Sequence, residues 1–187
     1  MLSEKCNRPY GISSGIVNRK SNWVWEKVKW CKCSCGMWHS NRFIPYTFWN
    51  QSWELQPNEN RKKAGIIVVR DNVEVWVTQS YNRCYGFPKG EKELGETLED
   101  CAKREFLEET GLNIYELNLG KFKRISIFIE NVEYVYFVLH VPKGFDIKTF
   151  PMDDVEITSF GWLAIKDINK LFLSKAVKKV LKKHKIL

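Results

Sequence analysis

Residues 90–112 read GEKELGETLEDCAKREFLEETGL. A helix is predicted over 97–110, because Thr97 with Asp100 resembles a capping box and Gly111 suits a C-terminal stop. At about 100° per residue, Leu98, Cys101 and Ala102 share a face with Glu105, Glu108 and Glu109. The inward stripe therefore begins apolar and ends in three carboxylates. Like charges gathered on an inward face repel one another and lose solvation. A divalent cation relieves both penalties, and Mg²⁺ takes carboxylate oxygens while keeping waters, which suits phosphate chemistry. A merely solvated acidic face would lie opposite Leu98 and Ala102 instead of beside them.

The same segment fills the pattern G-x5-E-x7-R-E-U-x-E-E-x-G-U, where U is apolar. Gly90, Glu96, Arg104, Glu105, Glu108, Glu109 and Gly111 occupy the fixed positions, and Phe106 and Leu112 the apolar ones. Over about residues 64–187 the chain resembles a Nudix hydrolase. The resemblance implies an α+β fold, the Nudix α/β/α sandwich, whose loop-helix-loop binds Mg²⁺ or Mn²⁺. It implies hydrolysis of a nucleoside diphosphate linked to another group. Carried over by position, Glu105, Glu108 and Glu109 are the expected metal ligands, with Glu105 and Glu109 also catalytic. Arg104, Glu96 and Gly90 are expected to support them from behind.

The approach to this segment, YGFPKG (85–90), resembles the mRNA-decapping branch of the family, with Tyr85 where a Trp often stands. Pro88 and Gly90 stiffen and turn the chain, and Lys89 then offers a point charge to a phosphate beside the carboxylates. Downstream, VEITSFGW (155–162) resembles the decapping segment in which a glutamate approaches the metal site. Glu156 is the matching position and the candidate general base. The Met152-Asp153-Asp154 segment is instead a candidate to touch a base edge, since a carboxylate there can accept from guanine nitrogens. The expected reaction is metal-assisted release of 7-methyl-GDP from capped mRNA, leaving 5′-monophosphate RNA. Capped mRNA and its 7-methylguanosine cap are thus the expected partners. The alternatives are a dinucleoside polyphosphate hydrolase of the Ap4A type and a non-catalytic RNA-binding Nudix module; intact glutamates weigh against the latter.

The elements that must position these residues read as follows. AGIIVVR (64–70) and VEVWVTQ (73–79) are predicted as a hairpin turning at Asp71-Asn72, and residues 80–90 as loop. Residues 122–130 and 133–141 form a second hairpin at Asn131, and 159–163 a short strand. Residues 166–185 are predicted as one or two helices. In AVKKVLKKHK (176–185), Val177, Val180 and Leu181 are expected inward. Lys178, Lys179, Lys182, Lys183 and Lys185 are then exposed and suited to RNA phosphates. This resembles the basic helix that follows the Nudix fold in decapping enzymes.

The division expected is an N-terminal Trp/Cys-rich extension or small module, 1–60, followed by the Nudix domain, 61–187. Residues 56–63 read as a linker. Six of the eight Trp lie between Trp23 and Trp53, which serves a small core or plug better than one nucleobase. Cellular decapping enzymes carry a helical regulatory region here, but these residues do not read as helical. The layout is closer to that of the decapping Nudix proteins of large DNA viruses. In Cys31-Lys-Cys33-Ser-Cys35, alternate strand positions are about 6.6 Å apart. Zinc bonds of about 2.3 Å do not reach three such thiolates, so reduced thiols are expected and not a zinc site.

Composition agrees with one folded enzyme. In 187 residues, 44% apolar and 14% aromatic content excludes a wholly disordered chain. The net charge of +8 divides by count into +7 over 1–63, −6 over 64–165 and +7 over 166–187. The acidic middle carries the glutamate helix, and the basic ends suit a polyanion. The apolar runs are far short of about 20 residues, so no membrane association is expected. The start has no apolar stretch of a secretory signal, so cytoplasmic location is expected (the host cytoplasm for a viral chain).

Overall fold

The computed structural model describes residues 30–32, 36–40, 61–80, 83–114, 122–151 and 157–184. Among these, nine strands join one mixed sheet. In chain order they are β1 (Trp30–Lys32), β2 (Trp38–Ser40), β3 (Lys62–Arg70), β4 (Glu74–Ser80), β5 (Tyr85–Gly86) and β6 (Lys89–Glu91). After helix α1 (Leu98–Thr110) come β7 (Lys123–Ile129), β8 (Val132–Val141) and β9 (Ile157–Ala164). A 3-10 turn (Ile165–Lys170) and helix α2 (Lys175–His184) follow. The sheet runs β1-β2-β9-β4-β3-β8-β7, with β5 beside β4 and β6 beside β3.

β3 is central and Val/Ile-rich because both of its faces are covered. On one face, Ala64, Ile66 and Val68 join Trp76, Val135 and Leu139 under Cys101, Ala102 and Phe106 of α1. On the other, Ile67 and Val69 join Val77, Tyr136 and Val138 under Ala176, Val177 and Val180 of α2. A helix on each face of one sheet is the α/β/α sandwich that the sequence predicts. Among the described residues, no helix is long and apolar enough to cross a membrane.

The predicted hairpin at Asp71-Asn72 forms, with both residues at positive φ, but it pairs only at Val69↔Val75 and Arg70↔Glu74. Beyond that the strands part. On its other edge β3 pairs in parallel with β8 from Lys62↔Glu133 to Arg70↔Val141. Into the opened seam comes the predicted loop 80–90, which carries β5 on β4 and β6 on β3. Gly65 permits this: a Cβ there would lie 2.2 Å from the Pro88 carbonyl oxygen and 2.6 Å from Lys89 Cβ. The predicted linker also ends early, since β3 begins at Lys62. The predicted β7–β8 hairpin forms, and its turn takes Glu130, expected in the strand, together with Asn131, both at positive φ.

The described part of the N-terminal extension continues the sheet. β2 pairs with β9 at Trp38↔Phe160 and His39↔Ser159. Trp30 meets Phe160 edge-on at 4.9 Å, and Trp38 meets Phe150 edge-on at 5.1 Å. These two indoles pack on the sheet as a plug. Trp23, Trp25, Trp49 and Trp53 lie outside the described residues, as do Cys33, Cys35 and the side chain of Cys31.

Candidate active site

α1 forms where its local signals place it. The Asp100 N–H donates to Thr97 Oγ1 at 3.1 Å, and the Thr97 hydroxyl donates to Asp100 at 2.7 Å. Gly111 ends the helix at φ 70°, its N–H donating to the Leu107 carbonyl at 2.7 Å. A Cβ on Gly111 would lie 2.0 Å from the Phe150 carbonyl oxygen, so the loop before β9 is pressed against this helix end. Cys101, Ala102, Phe106 and Thr110 are buried. Burial pushes the Cys101 thiol up to about 12, which removes it from thiolate chemistry.

The three carboxylates at this end differ. The Glu105 side chain is 15% exposed and that of Glu108 is 42% exposed. The predicted inward stripe is therefore correct for Glu105 and Glu109, while Glu108 sits on its rim. Phe106, not Glu108, takes the core side of the last turn. Glu109 reaches into the seam between β4 and β6. Thr78 Oγ1 donates to its Oε2 at 2.8 Å, and the Lys89 backbone N–H donates to its Oε1 at 3.1 Å. Burial pushes its carboxyl up to about 7, against the pull of Lys89 and these two donors. Burial likewise raises Glu105.

Arg104 ties the segment together. It donates to Glu96 at 3.0 and 3.2 Å, to Glu105 at 2.8 Å, to Glu108 at 3.2 Å and to the Glu91 carbonyl at 3.0 Å. The Glu96 carboxyl also accepts the Glu93 N–H at 2.6 Å, and its bonds to Arg104 hold it below the usual carboxylate range. Gly90 lies over Glu105. A Cβ at Gly90 would fall 2.0 Å from the Glu105 carboxyl carbon.

Among the described residues, no three acidic, His or Cys side chains converge closely enough to cage an ion. Glu105 and Glu108 are drawn to Arg104, and Glu109 is turned to Thr78. The donor set nonetheless fits a hard divalent cation. Three oxygen-bearing side chains share one helix end, and two of them are held above their ordinary pKa by burial, the condition a cation would relieve.

Two neighbours were not foreseen from the sequence. Thr78 is a buried hydroxyl that follows the apolar Val75, Trp76 and Val77 in β4 and precedes the buried Gln79, and polar residues inside a buried strand were its signal. Lys63 lies opposite Glu91 on β6 and Tyr134 on β8, on the same face of β3 as Gly65, which faces Lys89. Glu91 is engaged by Arg61 at 2.7 and 2.6 Å. Burial, then the nearby Lys89 ammonium, holds Lys63 below the usual lysine pKa. Two cations thus stand at the mouth of the seam. Glu156, Met152, Asp153, Asp154 and Lys185 lie outside the described residues.

The basic face of α2 lies across the sheet from α1 and is divided. The Lys179 ammonium donates to the Phe128 carbonyl, and Lys183 to the Ser126 carbonyl at 3.2 Å. These oxygens are on the outward side of β7, an edge strand whose free backbone groups need partners. Lys178 and Lys182 are exposed.

The Glu109 shift carries a stability consequence. Its carboxyl is raised from 4.5 to about 7 on folding. The folded state therefore binds the proton more tightly, and this stability is complete below about 4.5 and lost as pH rises through about 7. Glu105 acts in the same direction. Glu91 and Glu96 are lowered by Arg61 and Arg104, so their contribution is lost in acid, in a separate window. Metal-free protein should therefore lose up to about 3 kcal/mol between pH 5 and pH 8, read as a falling Tm. Excess Mg²⁺ should restore the Tm at pH 8. A metal-free Tm that stays level or rises across that interval would contradict the assignment of a buried, cation-seeking Glu109.

One mixed sheet between two helices, with a glutamate-bearing loop-helix-loop at its opened seam, defines a hydrolase of the Nudix type. The NUDIX domain model matches residues 59–184, and the chain belongs to that family of hydrolases acting on phosphoric anhydrides. Over 175 residues it is 29% identical to a protein of Invertebrate iridescent virus 3 described as hydrolase 111R, covering 91% of this chain and 95% of that one. It is 36% identical over 111 residues to the m7GpppN-mRNA hydrolase dcap-2 of Caenorhabditis elegans, which is 56% of this chain but 14% of that protein. An Ap4A hydrolase of C. elegans superposes with a TM-score of 0.53 at 20% identity, covering 66% of this chain and 95% of that one; this is a likeness of fold.

Proposed function

We propose that this Nudix hydrolase removes the 5′ cap of mRNA, releasing 7-methyl-GDP and 5′-monophosphate RNA. The observation that carries it is the G-F-P-K-G segment, residues 86–90. Its β6 enters the seam so that the Lys89 N–H holds Glu109 and Gly90 leaves room for Glu105. The resemblance of that segment to the decapping branch is supported by the similarity to dcap-2.

In this reading Glu105, Glu108 and Glu109 hold Mg²⁺ or Mn²⁺, which when bound polarises a phosphate and lowers the pKa of a bound water. Arg104, itself fixed by Glu96, positions Glu105 and Glu108. Water adds to the 5′ phosphorus of the RNA, the bond to the bridging oxygen breaks, and 7-methyl-GDP departs. Glu156, or one of the helix glutamates, takes the water's proton. The Lys89 ammonium, with Lys63 beside it, offsets the negative charge that grows on the departing diphosphate. Of the lysines expected to meet RNA, Lys178 and Lys182 supply positive charge for the chain, while Lys179 and Lys183 are taken by the carbonyls of β7.

The test is incubation with Mg²⁺ or Mn²⁺ and RNA labelled in its cap phosphates. Labelled 7-methyl-GDP is the expected product. Hydrolysis of diadenosine tetraphosphate with capped RNA left intact would replace this reading with the dinucleoside polyphosphate one. Tight RNA binding with no turnover of either would make the chain a binding module.

A further inference from the structure

The segment between the 3-10 turn and α2 is stitched to the strand that leads into the seam. The Tyr85 N–H donates to the Phe172 carbonyl at 2.8 Å, and the Ser174 N–H returns to the Tyr85 carbonyl at 2.9 Å. Tyr85 and Leu173 form a parallel bridge. Leu173 points into the core, so the ring one position earlier is turned out, and Phe172 is 65% exposed. Lys178, one turn into α2, holds its ammonium 5.7 Å from the centre of that ring. α2 carries five lysines and no acidic residue. Lys179 and Lys183 are spent on β7 carbonyls and Lys175 pairs with Glu130 at 2.5 Å. Lys178 and Lys182 are left for an outside anion.

A lone exposed phenylalanine needs no explanation. This one is fixed by backbone bonds at both flanks, has a cation over it, and is joined to Tyr85. Tyr85 is four residues from Lys89, at most about 14 Å along the chain. We propose that Phe172, with Lys178 and Lys182, is a stacking site for a base of single-stranded RNA a few nucleotides from the 5′ end held at Lys89. An aromatic face beside cations is the chemistry that grips single strands without reading sequence. Phosphates on either side of the stacked base would meet the two lysines. The inference rests on the reading that the substrate is an RNA 5′ end.

The experiment measures binding of a labelled 12-nucleotide capped RNA by anisotropy, and turnover of both that RNA and the cap dinucleotide. Phe172→Ala should weaken RNA binding about 5- to 50-fold, leave cap-dinucleotide turnover at the wild-type level, and be rescued by Phe172→Trp. Lys178→Ala should reduce the salt dependence of RNA binding by about one ion. Lys179→Ala should lower the Tm and leave that salt dependence unchanged. Unchanged RNA affinity in Phe172→Ala overturns the proposal, as does an equal loss on the dinucleotide. If wild-type protein neither binds nor cleaves RNA, the decapping reading itself falls. If it decaps RNA and Phe172→Ala is indifferent, only the stacking site does.

Discussion

Glu109→Gln should lower kcat by about 10³-fold or more while making the metal-free protein more stable at pH 8. The two effects share one cause. The native carboxylate is enclosed at the seam, with its two oxygens taken by Thr78 and the Lys89 N–H, and burial pushes it up to about 7. Glutamine keeps the shape and one acceptor but carries no charge. It removes the enclosed anion that destabilises the empty site, and with it the charge a cation needs. Such stability gained at the expense of function marks sites held in an unfavourable state for chemistry. The measurement is turnover of cap-labelled RNA beside thermal melts at pH 5 and pH 8. The variant should show a flatter fall of Tm with pH than wild type and unchanged RNA affinity, because the RNA contacts assigned to Phe172 and the lysines lie elsewhere. Near-normal turnover would remove Glu109 from the catalytic set. Loss of turnover with an unchanged pH profile would leave it structural.

Legibility in the sequence followed how local the determinant was. Helix α1 was readable because Thr97, Gly111 and a 3.6-residue rhythm act within a few residues of one another. The Asp71-Asn72 turn was readable for the same reason, as an adjacent pair that tolerates positive φ; in the second hairpin Asn131 was readable, while Glu130 was expected in the strand. The parallel pairing of β3 with β8 was not, since residues 62–70 and 132–141 meet only through the core they share. The seam was missed because it depends on an absence: Gly65 has no side chain where β6 passes. The glutamates were found by spacing, but their differences were not. Spacing placed Glu108 with the other two. The structure sets it at the rim on Arg104 because Phe106 takes the core side of that turn. The lysines of α2 were legible as a basic face. That two of them reach the carbonyls of β7 depends on which strand forms the sheet edge, and no local pattern in 176–185 encodes that.

Gly90→Ala should cost about 10- to 100-fold in turnover and in metal affinity with little change in stability. The backbone at Gly90 is not in the left-handed region, where glycine would be required for its own conformation. What the added methyl meets is the Glu105 carboxyl, 2.0 Å from its carbon and Oε1 and 2.1 Å from its Oε2. That group is the far end of a flexible chain, so it yields while the strand stays. Glu105 then turns off the seam, and Arg104, which donates to it at 2.8 Å, keeps Glu96 and Glu108. Gly65→Ala is the contrast. Its methyl would meet the Pro88 carbonyl oxygen at 2.2 Å, which is backbone, so β6 itself must move and the Tm should drop with the activity. The decisive comparison is the double variant Gly90→Ala/Glu105→Ala. If Gly90 acts only by leaving room for Glu105, the pair should be no worse than Glu105→Ala alone, a non-additivity expected of residues acting through one contact. Additive losses would mean that Gly90 serves the site by another route, through the path of β6 or the approach of a phosphate to its backbone. Mg²⁺ titration followed by the rise in Tm separates those outcomes without relying on turnover.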